Sequence, residues 1–248
     1  MSEAAAEQPV CPRHPGTVTY VRCQRCERPT CPQCQVAAPV GVLCVDCVRD
    51  AQKQARPVRS SLGFTAAYGK PWATYVLMAA CLGVYFVAPV LLGRYWFYDL
   101  GLLPEAPDRW WSWVTSGFVH FGLLHLILNM FMLWQFGAQL EPAMGRVRYL
   151  ALYVVSLLGS SAMVVLLGSH DSVHGGASGA IFGLLAGYAI ALRSMRLQWT
   201  NIAAFAAMWL VAGFFVGGIS WEGHLGGAIA GAAAMALMLR SVQRRRRP

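Results

Sequence analysis

Residues 175–192 read GGASGAIFGLLAGYAIAL, and residues 221–239 read WEGHLGGAIAGAAAMALML. Each is an uncharged or nearly uncharged run close to the ~20 residues a helix needs to cross the hydrocarbon core of a bilayer. Glycine recurs every fourth residue in both: Gly179, Gly183 and Gly187 in the first, Gly223, Gly227 and Gly231 in the second. That period strips one helical face of side-chain bulk and lets two backbones approach closely, as in small-xxx-small packing. Ser178 stands directly before the first stripe, and His224 directly follows the first glycine of the second. If the stripes face each other, a hydroxyl and an imidazole come within hydrogen-bond reach.

The rest of the chain agrees with a membrane setting. Of its 248 residues, 56% are hydrophobic and only 12% charged, against about 25% charged in an average soluble domain. Six spans are expected, at about 72–92, 113–140, 147–168, 175–192, 197–217 and 221–239. The fold class is therefore an all-α membrane protein, a bundle of six transmembrane helices preceded by a small zinc-stabilised cytosolic module. The expected divisions are a zinc-binding module at 1–50, a basic linker at 51–70, the six-helix domain at 71–241 and a basic tail at 242–248.

Connection charges set the orientation. Arg56, Arg59, Lys70, Arg146, Arg148, Arg193, Arg196 and the arginines at 244–247 share one side. Asp99, Glu105, Asp108, Asp171 and Glu222 lie on the other, with Arg94 and Arg109 as cations there. The positive-inside rule then places both termini in the cytoplasm of a multi-pass protein of the cell membrane. The net charge of +9 reads as topological anchoring and contact with anionic lipid rather than nucleic-acid binding. Arg22, Arg25 and Arg28 are too few to track phosphates. Residues 1–10 do not read as a secretory signal.

Seven of the eight cysteines fall between Cys11 and Cys47. They form the pairs Cys11-x2-His14, Cys23-x2-Cys26, Cys31-x2-Cys34 and Cys44-x2-Cys47. Two ligands so spaced on a tight turn can share one tetrahedral Zn²⁺, and four pairs supply two closed, structural sites. A disulfide framework would leave an odd thiol and no role for His14. Adjacent pairing would join Cys11, His14, Cys23 and Cys26; interleaved pairing would join Cys11, His14, Cys31 and Cys34, and is similar to cross-braced B-box zinc fingers. With too few apolar residues for a core, the module would draw most of its folding free energy from metal. Thiolate ligands need a reducing compartment, which agrees with the cytoplasmic N-terminus. The module reads as a docking element for a cytosolic protein partner.

Polar side chains inside spans are costly and default to functional candidates. The second expected span carries His120, His125 and Asn129, the fourth begins near Ser178, and the sixth holds His224 near its start. All lie toward the outer half. His224 is placed to act as general base toward Ser178. His125 and Asn129, four residues apart, share a helical face and could donate to a developing oxyanion, together with the Ser178 N–H. His120, more than a turn away, would organise water and loop packing. Read residue by residue, these same groups also fit a packing serine and a histidine that merely bonds between helices. A small transporter is a third reading, against which stand the lack of internal repeats and of buried carboxylates.

Taken together and in order, His120-x4-His125-x3-Asn129, Gly176-Ala177-Ser178-Gly179, Gly223-His224-x2-Gly227-x3-Gly231 and Glu141-x3-Gly145-Arg146 resemble the rhomboid family over about two thirds of the chain. The resemblance implies a serine–histidine dyad without a catalytic acid or catalytic cofactor. It implies cleavage of single-span membrane proteins near the outer face of the bilayer. It also implies a lateral gate at the fifth span, around Trp209, Gly213, Phe214 and Phe215. Many members carry Trp-Arg in the first loop where this chain has Trp111-Ser112, which bears on loop structure rather than on the dyad. Inactive relatives act as binding factors; they lack the serine or the histidine that this chain retains.

Overall fold

The computed structural model describes residues 8–54, 59–66, 69–215 and 218–244, with Phe214 described by its backbone alone. Parts of the linker (55–58 and 67–68), the end of the fifth expected span (216–217) and the arginines at 245–247 lie outside the described residues. The chain separates into two compact units, residues 1–57 and 58–248.

In the first unit, β1 (Val10–Cys11) pairs antiparallel with β2 (His14–Val18), and β3 (Gln35–Ala37) with β4 (Val42–Cys44). A 3-10 turn over Pro32–Cys34 precedes β3, and α1 (Val45–Gln54) follows β4 directly. Among the described residues of this unit, the buried apolar side chains are all cysteines. A ribbon this short cannot hold itself together by hydrophobic burial. Arg13 bridges to Asp46 in the first turn of α1 at 2.7 Å, and this guanidinium holds the Asp46 carboxyl below its ordinary range.

The second unit is helical. It runs α2 (Trp72–Leu92), α3 (Trp96–Leu100), α4 (Ser112–Thr115) with a 3-10 turn at Ser116–Phe118, α5 (Leu123–Met144), α6 (Arg146–Leu167), α7 (Ser178–Ser194), α8 (Thr200–Phe215) and α9 (Trp221–Arg244). Helices α2, α5, α6 and α9 are long and apolar enough to cross a membrane; α7 and α8 are shorter apolar helices. The bundle is turned outward in character. Val76, Phe86, Val90, Leu124, Phe131 and Leu166 are exposed, whereas Asn129, Glu141, Ser156, Ser161 and His224 are buried. Lipid solvates the first group and protein the second.

Three expected span starts move by three residues or more; the fifth, expected from 197, begins as α8 at Thr200. The second was expected from 113, but residues 113–122 form the end of α4, the 3-10 turn and an extended piece, and α5 begins at Leu123. Val119 at φ −79, ψ 131 and Gly122 at φ −168, ψ 160 are incompatible with a helix. His120 therefore sits in the connection before α5, not on a span. The fourth begins at Ser178 rather than 175, because Gly176 adopts φ +136.

Glu141, near the C-terminal end of α5, is 1% exposed, so the expected lack of buried carboxylates does not hold, and its contacts explain the Glu-x3-Gly pattern. Its carboxylate accepts the backbone N–H groups of Ala73 (3.0 Å) and Thr74 (2.8 Å) and the Thr74 hydroxyl (2.9 Å). It thus satisfies donors that the first turn of α2 cannot pair internally. Gly145 follows at φ +81, ending α5 and starting α6. Glu141→Ala should lower stability by about 2–4 kcal/mol by orphaning buried donors. Glu141→Gln, retaining one acceptor oxygen, should lose less; equal melting temperatures in detergent for wild type and Glu141→Ala would contradict this role.

The most extensive helix contacts join α7 to α9 and α6 to α9. The stripes do meet. A Cβ added at Gly227 would land on the carbonyl of Gly179, and one at Gly231 on the carbonyl of Gly183. Gly227→Ala should therefore cost about 1–3 kcal/mol of overpacking. Gly83→Ala on α2, where a Cβ meets nothing within 4 Å, should be neutral or stabilising by its helix propensity. Thermal unfolding of the two variants in the same detergent makes the comparison.

Candidate active site

The glycine contact fixes the geometry at the mouths of α7 and α9. Ser178 is the first residue of α7, so its N–H has no partner within the helix. His224 lies in the first turn of α9 and is 8% exposed. Ser178 and His224 line one small polar cavity of about 30 Å³, together with Ser116, Ser160, His174 and Ser220. That is room for a water molecule.

The His224 ring stacks on Phe182, with centroids 4.1 Å apart and planes at 11°. Phe182 stands one turn beyond Ser178 on the same helical face, so a single helix both presents the hydroxyl and supports the imidazole. The i+4 spacing was visible in the sequence, but an apolar phenylalanine in an apolar span gave no chemical signal. No hydrogen bond joins Ser178 to His224, and His224 Nδ1 is buried without a partner. Among the described residues, no carboxylate therefore orients this histidine from behind. Contacts of this kind often tighten only when substrate is bound.

The other candidates divide. The point where a Cβ would stand on Gly176 is 3.0 Å from the His125 ring and 3.4 Å from Ser178 Oγ. This brings His125 beside the serine and makes a Cβ at 176 a tight fit, while the φ of +136 itself favours glycine. His125 further stacks on Phe121, with planes at 11°. Asn129 does not line the cavity; its amide donates to the His125 carbonyl at 2.9 Å, and its Oδ1 is buried without a partner. One amide N–H remains free to donate. His120 is buried at 1% exposure, with Nδ1 3.1 Å from the Phe118 carbonyl and its ring 5.0 Å from that of His125. It packs beside His125 and does not line the cavity.

The loop entering α7 is held from two sides. Gly176 donates to the Ser116 carbonyl at 2.9 Å, and His174 exchanges both backbone bonds with Leu102. In the first loop, Arg109 and the Trp111 indole both donate to the Asp99 carbonyl, while Ser112 caps back to Arg109.

The N-terminal unit contains two groups of candidate metal ligands. Cys11, His14, Cys31 and Cys34 form one, and Cys23, Cys26, Cys44 and Cys47 the other; within each, the ligand atoms lie within 4.8 Å of one another. Of the two pairings considered, this is the interleaved one. The residues fit a tetrahedral, closed N/S site. Backbone N–H groups, chiefly that of Cys31, bring the Cys11 thiol down to about 6. At Cys23 burial opposes ionisation, yet the N–H groups of Cys44, Cys26 and Arg25 bring it to about 6. Burial pushes Cys34 up to about 11 and, with the neighbouring Cys26 thiol as the larger cause, Cys47 up to about 12. Crowded thiols cannot all ionise unaided, and a divalent cation held among them would supply the missing charge.

Fold and site thus define a multi-pass helical membrane protein that gathers a serine and a histidine in one polar cavity. The family model described as the rhomboid domain matches residues 107–241, and the chain belongs to the rhomboid family. It is 31% identical over 183 residues to rhomboid protease GluP of Bacillus subtilis (strain 168), covering 68% of this chain and 35% of that protein. It is also 31% identical over 149 residues to rhomboid protease GlpG of Serratia proteamaculans (strain 568), covering 57% and 52% respectively. GlpG of Yersinia pestis (strain Pestoides F) is 34% identical over 110 residues, 42% of this chain and 38% of that protein. The chain thus spans between about a third and half of the length of these relatives.

Proposed function

We propose that this protein is an intramembrane serine endopeptidase that cleaves transmembrane protein substrates. Ser178 is the nucleophile and His224 the general base. The observation that supports this most is the shared cavity: Ser178 opens α7, while His224 rests on Phe182 of the same helix. His224 takes the Ser178 proton as Oγ attacks the scissile carbonyl, then returns it to the leaving amine. Water hydrolyses the resulting acyl-enzyme through the same base. The Phe182 ring face stabilises the transient imidazolium, a role that a carboxylate fills in triads. His125, the free amide N–H of Asn129 and the Ser178 N–H form the oxyanion donors, and His120 steadies His125.

In this reading both termini are cytoplasmic, and the cavity opens toward the outer half of the bilayer. Residues 1–50 form a module with two structural Zn²⁺ ions that docks a cytosolic protein, 51–70 a linker, 71–241 the protease and 242–248 a tail. A fluorophosphonate probe tests the dyad without knowledge of the substrate. Wild type in detergent should be labelled, and Ser178→Ala and His224→Ala should not. A folded wild type that resists the probe would move the protein to the inactive, binding class.

A further inference from the structure

Polar side chains turned toward lipid are costly unless something besides lipid meets them. The exposed stripe of α5 is apolar through Leu124, Leu128 and Phe131, then turns polar at Gln135 and Gln139, both exposed. Gln135 stands nine residues before Met144, the inner end of α5, which is about 13 Å at the rise of a helix. Its amide therefore lies too deep for so short a side chain to reach a headgroup.

The hydrogen-bond directions here are fixed. Gln139 Nε2 donates to the Gln135 backbone carbonyl at 2.8 Å, an atom that can only accept. Gln139 Oε1 then faces Tyr188, whose hydroxyl donates to it at 2.9 Å. Gln139 keeps one N–H and one lone pair, and among the described residues the Gln135 amide has no hydrogen-bond partner. The two side chains are one turn apart, so their unfilled groups share a face.

Helix packing decides what that face looks onto. Helix α6 packs against both α5 and α7 and closes one side of their seam. Going round α7, α6 is followed by α9 and α9 by α8, and the ring stays open between α8 and α5, which make no extensive contact. The Gln139–Tyr188 pair crosses the α5–α7 seam and is exposed, so it faces this opening. Behind it the Phe136 ring supports Tyr188, with centroids 6.2 Å apart. Tyr188 belongs to the helix that Ser178 opens, ten residues further on, or about 15 Å along the axis. A transmembrane segment lying in the opening with its scissile bond at Ser178 brings a side chain ten residues inward to this depth. A primary amide both donates and accepts, so another primary amide completes it with two hydrogen bonds; an acyl chain offers none.

We propose that Gln135, Gln139 and Tyr188 form a specificity site in the opening between α5 and α8, which takes a substrate's transmembrane segment bearing asparagine or glutamine at mid-membrane depth. The proposal rests on the protease reading and names a class of substrate for it. Gln135 and Gln139 make the amide contacts, and Tyr188 is a positioning residue that holds Gln139.

The probe is a synthetic single-span peptide of leucine and alanine with a fluorophore and one asparagine at the centre of the span. Its affinity for Ser178→Ala in proteoliposomes is compared with that of the wholly apolar peptide. The central asparagine should tighten binding about threefold to tenfold, the range of interhelical hydrogen bonds in bilayers. Moved seven residues toward the outer end, it should give no gain. With Gln135→Leu and Gln139→Leu added, the gain should vanish, and with Tyr188→Phe it should shrink. The gain is a ratio within one variant, so a general loss of affinity does not imitate it. Equal affinities for the two peptides in Ser178→Ala would overturn the site, as would a gain that survives both leucine substitutions. Energy transfer between labelled copies that disappears on Gln135→Leu would give the face to a second copy, and would also overturn it. Failure of wild type to take the fluorophosphonate probe would instead defeat the protease reading, without altering these affinities.

Discussion

Ser178→Ala and His224→Ala should each reduce cleavage of a membrane substrate by about 10⁴-fold or more, and the double variant should lose no more than either single one. The reason is the shared step. Without His224 the serine keeps its proton, and without Ser178 the histidine has no nucleophile to activate, so the two losses cannot add. Residual turnover would come from the oxyanion donors and binding alone. Because His224 lies on Phe182, Phe182→Ala should fall between wild type and the dyad variants, by about 10-fold, as the ring loses its platform and its cation–π partner. Single-turnover cleavage in proteoliposomes measures all four. Additive losses in the double variant would show that the two residues act in separate steps.

Chelation of metal should unfold the N-terminal unit completely. Each structural zinc contributes about 10–16 kcal/mol of apparent binding free energy at neutral pH, and no buried apolar side chain other than cysteine is described there to replace it. The protein as prepared should hold two equivalents of Zn²⁺. Cys23→Ser should abolish one site and Cys11→Ser the other. Acid should act in the same direction as a chelator. Cys11 and Cys23 are held down to about 6 without metal, so protons begin to compete with metal for these thiolates only as the pH falls below that value, and the sites weaken progressively from there. Elemental analysis with limited proteolysis of residues 8–54 reads both effects. A module that stays protease-resistant without metal would sink the structural assignment.

Much of this protein could be read from its residues. Apolar runs of spanning length, glycines every fourth residue and cysteines in pairs are local patterns, and each has a direct physical meaning. The convergence of Ser178 and His224 followed from the stripes, because close backbone contact is possible on only one face of each helix. Other features had no local signal. The start of α5 moved because Val119 and Gly122 adopt extended backbone, which their local sequence did not signal. Phe182 looked like any apolar span residue until the His224 ring was found on it. Asn129 had the spacing of an oxyanion donor, but nothing local showed that one of its amide hydrogens is spent on the carbonyl of His125.

The sequence by itself determined the membrane class, the two-unit organisation around cysteine pairs, and the choice of candidate side chains, since these depend on composition and on periodicities of three to four residues. Tertiary structure alone decided which cysteine pairs share a site, what supports His224, and that Gln139 meets Tyr188. Those contacts join segments distant along the chain, and their hydrogen-bond directions depend on where backbone carbonyls fall once the helices have packed.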